Sequence, residues 1–271
     1  MFKDQTFWIT GASSGIGAAF ARQLAKQGAY IILSGRNQAA LEEVAAQCGA
    51  DRCLILPFET TDYAALPKLV DTALAWRDGV DCLVNNAGIS QRSLAIETAF
   101  PVYQKVIDVD LMAPIALTQL VLPHMVARKS GRLVFISSVA GKVGSPMRTA
   151  YSAAKHGLIG YADALRVEVA ALGLNVHVIA PGSIKTDVSR NAVVADGSRR
   201  GVSDEAIENG IDPDKAVQRM LRAMARGDRE ILIARGVEQT IARLRRQSPN
   251  KLFDLMEKMM AAGYAQKMKG E

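Results

Sequence analysis

Cysteine is scarce in this chain of 271 residues, where only Cys48, Cys53 and Cys82 occur. Their spacing forms neither a paired metal knuckle nor a redox CxxC, so the sequence predicts no metal site and a reducing compartment. No uninterrupted apolar run reaches the roughly 18 to 20 residues that cross a bilayer. Phe7 to Thr10 already read as a strand, leaving no room upstream for a cleavable leader. Together these absences predict a cytoplasmic protein. Low-complexity linkers and internal repeats are also lacking. Arg243, Arg245 and Arg246 cluster near the C-terminus, but no aromatic platform or nucleic-acid motif accompanies them, which argues against nucleic-acid binding.

What remains is ordinary globular material, 49% hydrophobic and 22% charged. The net charge of +6 suits phosphorylated small molecules as well as larger polyanions, and by itself does not choose among them. Aliphatic or β-branched runs recur at Thr6–Thr10, Tyr30–Ser34, Cys53–Pro57, Cys82–Asn85, Arg132–Ser137 and Val176–Ala180, separated by amphipathic stretches. Continuous rather than alternating apolar strands imply a sheet covered on both faces. The spacing therefore predicts an α/β fold, a Rossmann-type doubly wound parallel sheet of about seven strands, with Glu230 to Ala234 as an edge strand. We expect one catalytic body over residues 1–235 and a helical extension over 236–271 packed on it. In that extension Ile241, Leu244, Leu252, Leu255, Met256, Met259 and Met260 can line one face, which leaves peripheral membrane contact open. The stretch from Thr186 to Gly210 reads as a mobile loop.

Thr10-Gly11-Ala12-Ser13-Ser14-Gly15-Ile16-Gly17 follows the first strand and opens a helix. Glycine there lets the backbone approach a pyrophosphate, whose charge meets free amide groups and the positive end of the helix dipole. After the second strand, an acid would bond a free ribose hydroxyl and repel a 2′-phosphate. Ser34-Gly35-Arg36 carries no acid and offers a guanidinium, which favours NADP(H), with Ser13 assisting; as the alternative, Arg36 is a plain surface residue. Tyr151 and Lys155 lie one helical turn apart, which sets an ammonium beside a phenol. A phenol ordinarily titrates near 10, so the cation makes it a more competent general acid or base. Ser138, at the end of the fifth strand, is placed to bond a substrate oxygen, with Ser137 as its rival.

Four ordered motifs, Gly11 to Gly17, Asn85-Asn86-Ala87-Gly88, Tyr151 to Lys155 and Pro181-Gly182, resemble those of the short-chain dehydrogenase/reductase family, with its TGxxxGxG and YxxxK signatures. Residues 191–201 and the long tail are similar to the orphan family-member-seven branch. The resemblance implies hydride transfer between nicotinamide and a carbonyl or secondary alcohol, with Ser138, Tyr151 and Lys155 as the catalytic set. It further implies cofactor contacts from Gly11, Ser13, Ser14, Gly15, Ile16, Gly17, Arg36, Asn86, Ala87, Gly88, Tyr151, Lys155, Pro181, Gly182, Ile184 and Thr186. Glu59 stands where the family commonly has an aspartate facing adenine, and Asp110 where it has an asparagine that supports the lysine. Homodimers or tetramers built on the helices near residues 103–129 and 149–172 are implied as well. The alternatives are a 3-oxoacyl-thioester reductase, whose shorter members lack such a tail, and a non-catalytic NADP-binding regulator.

Overall fold

A computed structural model describes residues 1–269. Seven parallel strands form one sheet: β1 (Thr6–Thr10), β2 (Tyr30–Ser34), β3 (Cys53–Ile55), β4 (Cys82–Asn85), β5 (Gly131–Ile136), β6 (Leu174–Pro181) and β7 (Glu230–Ile233). Their order is β3-β2-β1-β4-β5-β6-β7. The direction of winding reverses between β1 and β4, and that switch opens a crevice at the carboxyl ends of the strands. Three runs match their predicted bounds; the third and fifth stop one or two residues early, and the sixth extends at both ends.

Helices cover both faces. On one side α1 (Gly15–Ala25), α2 (Gln38–Cys48) and α8 (Pro213–Ala225) pack over Phe7, Ile9, Ile31 and Leu33. On the other, α3 (Leu66–Ala75), α5 (Ala113–Ala127) and α6 (Thr149–Val169) cover Trp8, Ile32, Leu83 and Leu133. Phe7 and Ile9 point one way and Trp8 the other, as the two-residue period of a strand demands, and both faces are dry. Local signals start the helices: Asn37 accepts from the Ala40 amide at α2, and Asp212 accepts from Lys215 at α8 with Pro213 in the first turn.

Residues 100–127 form one continuous helical segment, α4 (Phe100–Ile107), a π-helical turn (Asp108–Met112) and α5. Despite its interruptions by charge and proline, an 18-residue stretch of this segment reaches a mean hydropathy of 1.5, apolar enough by length and composition to cross a membrane. That qualifies the expectation from uninterrupted runs. Its Val106, Leu117, Val121 and Met125 are buried in the protein core. The extra residue of the π turn rotates the chain so that Asp110 points inward and is wholly buried.

Two expectations need correction. The stretch 186–210 is knitted to the body rather than an open loop. Val193 donates its amide to the Ser90 carbonyl at 2.8 Å, Arg92 donates to the Val193 carbonyl at 2.9 Å, and Ala99 donates to the Ala195 carbonyl at 2.9 Å. It also contains a short helix, α7 (Glu205–Glu208). The tail is three helices rather than one striped unit: α9 (Val237–Gln247), α10 (Pro249–Ala261) and α11 (Tyr264–Lys269). Pro249 cannot continue α9, and Gly263 takes a left-handed φ of 87° between the last two. Leu252 is buried, whereas Leu255 and Met259 are exposed, so the expected apolar face is split.

Candidate active site

A cavity of about 970 Å³ lies over the carboxyl ends of the strands, lined at one end by the glycine-rich turn and at the other by Ser138, Tyr151 and Lys155. The turn is possible only with glycine at its tightest points. A Cβ on Gly17 would sit 2.2 Å from the Gly11 carbonyl oxygen, and Gly11 itself takes a left-handed φ of 65° beside the Ala87 backbone. Ser14 caps α1 in extended conformation without engaging its side chain in a capping bond, so the first-turn amides face the cavity.

Thr10, the first residue of the glycine-rich motif, joins this turn to β4. Its hydroxyl accepts from the amides of Asn86 and Ala87, both at 3.0 Å, while the Asn86 side chain donates to the carbonyls of Thr10 at 2.9 Å and Gly11 at 3.2 Å. Asn86 therefore acts through its side chain as a brace for the glycine turn, leaving Ala87 and Gly88 at the cavity wall. Beyond β2, Ser34 is occupied by the Trp8 indole N–H at 2.9 Å, and Gly35 leaves room beside Ser13. Arg36 is exposed and meets Glu59 at 3.5 Å, so two residues predicted to face adenosine pair with each other.

At the other end, β5 stops at Ile136 and Ser138 caps a short turn, its Oγ accepting from the Ala140 amide at 3.1 Å. The Ser137 hydroxyl is already committed: it is buried and donates to the Lys155 carbonyl at 3.0 Å. The first turn of α6 is set by Gln91, whose Oε1 accepts from the Ala150 amide at 2.8 Å. Tyr151 is half-buried and reaches the cavity. The Lys155 ammonium lies 5.7 Å from the centre of the Tyr151 ring and donates to the Ile136 carbonyl at 3.0 Å.

Asp110 completes this cluster. Its Oδ1 accepts from the Ile89 amide at 2.8 Å and its Oδ2 faces the Lys155 ammonium at 3.1 Å. Gly88 makes the arrangement feasible, since a Cβ there would lie 3.2 to 3.3 Å from both charged ends. Burial opposes a charged Lys155, but the Asp110 carboxylate and Tyr151 outweigh it and hold the lysine above its ordinary pKa. Burial likewise pushes the Asp110 carboxyl above the usual carboxylate range, and Lys155 and the Ile89 amide pull it only partly back.

Pro181, Gly182, Ile184 and Thr186 all line the cavity. Thr186 donates to the Ile184 carbonyl at 3.3 Å, a local turn bond that a ligand must displace or share, and its methyl abuts the position where a Gly15 Cβ would stand. A carboxylate from the tail joins here: Glu238 accepts from the Ser183 amide at 2.9 Å and hydroxyl at 2.7 Å. No local sequence signal marks Glu238, because 55 residues separate it from its partner.

The model of the short chain dehydrogenase family matches residues 5–196. Dehydrogenase/reductase SDR family member 7B of Bos taurus is 38% identical over 256 residues, covering 92% of this chain and 79% of that protein. A short-chain dehydrogenase from Streptomyces avermitilis superposes with a TM-score of 0.80 at 26% identity, covering 95% of this chain and 99% of that one. The fold is shared with a short chain dehydrogenase/reductase from Burkholderia phymatum in complex with NAD, at a TM-score of 0.82 and 22% identity, covering 92% and 95% of the two chains.

Proposed function

Because the chain belongs to the short-chain dehydrogenase/reductase family, we propose that it is an NADP(H)-dependent oxidoreductase acting on a carbonyl or secondary alcohol, with Ser138, Tyr151 and Lys155 as its catalytic residues. The observation that carries this reading is the cavity that joins the glycine turn to those three side chains. Its dinucleotide end fits the cofactor: the free first-turn amides of α1 suit a pyrophosphate, and the gap at Gly35 between Ser13 and Arg36 suits a further phosphate. Gly11 to Gly17, Ala87, Gly88, Pro181, Gly182, Ile184 and Thr186 would hold the rest, with Asn86 acting from behind. Arg36 would turn from Glu59 to a 2′-phosphate, a stronger acceptor than one carboxylate.

Bound NADP(H) supplies or takes the hydride. Ser138 holds the substrate oxygen, its hydroxyl directed by the neighbouring turn. Tyr151 gives its phenolic proton to the alkoxide during reduction or takes a proton from the alcohol during oxidation. Lys155 lies behind the ring, anchored on the Ile136 carbonyl and Asp110, and its charge stabilises negative charge on the phenol oxygen. The intact set favours turnover over a purely regulatory NADP-binding role. NADPH consumption, followed by absorbance across a panel of aldehydes, ketones and oxoacyl thioesters, tests the reading. At least one carbonyl class should be reduced at a rate that Ser138→Ala and Tyr151→Phe abolish; NADPH binding without turnover on any class would overturn it.

A further inference from the structure

Away from the reacting groups, Asp204 gathers an unusual set of charges. Its side chain is only 4% exposed and accepts two hydrogen bonds from Arg92, at 2.6 and 2.9 Å, one from Arg148 at 3.2 Å and one from Arg200. Its own amide donates to Ser189 Oγ at 3.0 Å. Burial alone would raise the carboxyl, but these arginines hold it below the usual carboxylate range. Burial and the Arg148 charge bring Arg92 down to about 10, still protonated at neutral pH. A buried ionic cluster of this kind seldom adds much net stability over an apolar one, because desolvation offsets the attraction. What such a cluster specifies well is geometry.

The segments it joins are those that frame the substrate end of the cavity. Arg92 also donates to Ser90 Oγ at 2.6 Å and the Gln91 carbonyl at 2.7 Å, in the loop whose Gln91 starts α6. Arg148 is the residue immediately before α6 and stands three positions ahead of Tyr151. Arg200 closes the turn in which Val193 bridges Arg199, two residues that line the cavity. Through its other amino group, Arg200 donates to the Met268 carbonyl of α11 at 2.7 Å. Ala265 buries the inner side of that short helix.

We propose that Asp204 is a positioning residue: through Arg148 and Arg200 it sets the distance between Tyr151 and the Val193–Arg199 wall, and through Arg200 it makes substrate fit depend on the C-terminal helix. The proposal rests on the oxidoreductase reading for its kinetic readout, and it has a second readout that does not. The glycine turn and the Arg36 position that would hold the pyrophosphate and the 2′-phosphate lie at β1, α1 and the end of β2, away from the link, so the link bears on the substrate's KM and leaves NADPH affinity alone.

The test uses the full chain. Arg148→Gln and Arg200→Gln remove two groups that meet only at Asp204, so a double-mutant cycle isolates their coupling. Each should raise KM for the carbonyl substrate at least fivefold, with any fall in kcat smaller than the rise in KM and the calorimetric Kd for NADPH within twofold of the parent. The double variant should show about the KM of the worse single variant, not the product of the two effects. Ala265→Arg, which pushes α11 outward while leaving the cluster's residues intact, should reproduce the KM of Arg200→Gln and add nothing to it. Multiplicative effects, or single variants with unchanged KM, overturn the proposal. If the parent reduces no carbonyl, the oxidoreductase reading fails by itself, and limited proteolysis decides the link. Arg200→Gln and Ala265→Arg should then both speed cleavage within residues 194–203 at unchanged NADPH affinity, and unchanged cleavage rates would overturn it.

Discussion

Replacing Asp110 by asparagine should move the pH profile of alcohol oxidation downward. The carboxylate is 3.1 Å from the Lys155 ammonium, which is 5.7 Å from the Tyr151 ring centre, so the carboxylate lies within about 9 Å of the ring. With the phenolate charge placed at the ring centre and the separation at that outer limit of about 9 Å, two negative charges repel by about 1.8 kcal/mol at an effective dielectric constant near 20. That energy corresponds to a little over one pH unit. Oxidation requires negative charge on the Tyr151 oxygen, and Asp110 opposes it; a neutral amide in its place leaves the ammonium without the opposing charge. The alkaline rise in kcat/KM should therefore begin about one pH unit lower in Asp110→Asn. Carbonyl reduction at neutral pH uses the protonated phenol and should change much less. The assay is rate against pH for both proteins with one alcohol and saturating cofactor. A profile unmoved within the error of the fit, or moved upward, refutes the electrostatic account of Asp110.

Further outcomes follow from the same geometry. Tyr151→Phe should lower turnover at least a hundredfold with the calorimetric Kd for NADPH within twofold, because the ring stays and only the proton is lost. Arg36→Ala should weaken NADPH by about tenfold more than NADH, whereas Glu59→Gln, which frees Arg36 from the 3.5 Å pair, should tighten NADPH; parallel titrations with both cofactors measure the difference. Stability against pH should report the Lys155 pair. An amine whose folded pKa is raised contributes stability that is complete below its ordinary value of 10.5 and is lost as pH climbs through the higher folded value. Asp110→Asn should accordingly lower Tm near pH 7, because it leaves the buried Lys155 ammonium without its carboxylate, and bring the alkaline fall in Tm to lower pH. Thermal melts from pH 7 to strongly alkaline conditions check it.

Much of the fold was legible because each strand is a short apolar run punctuated by turn chemistry, and period and punctuation are local. The glycine turn and the Tyr151–Lys155 step were legible for the same reason: backbone clearance at Gly17 and one helical turn of spacing are properties of a few adjacent residues. The split tail was readable in principle from Pro249 and Gly263, yet the apolar residues from Ile241 to Met260, on both sides of Pro249, suggested one stripe.

Asp110 shows where local reading ends. Its place in the sequence marked it as unusual, but only the π turn that rotates it inward, and the bare Gly88 that lets Lys155 approach, turn it into a partner of Lys155. The brace from Thr10 to Asn86, the grip of Glu238 on Ser183 and the pairing of Arg92 and Arg148 with Asp204 join residues 55 to 112 positions apart. Their chemistry is that of ordinary surface residues until tertiary packing removes water and brings charges together. The sequence by itself thus determined which elements form, in what order, and where the glycine turn and the Tyr151–Lys155 step stand. Only the tertiary structure decided which polar side chains are buried against one another, because burial and long-range pairing depend on how the sheet is ordered and covered, not on any neighbour in the chain.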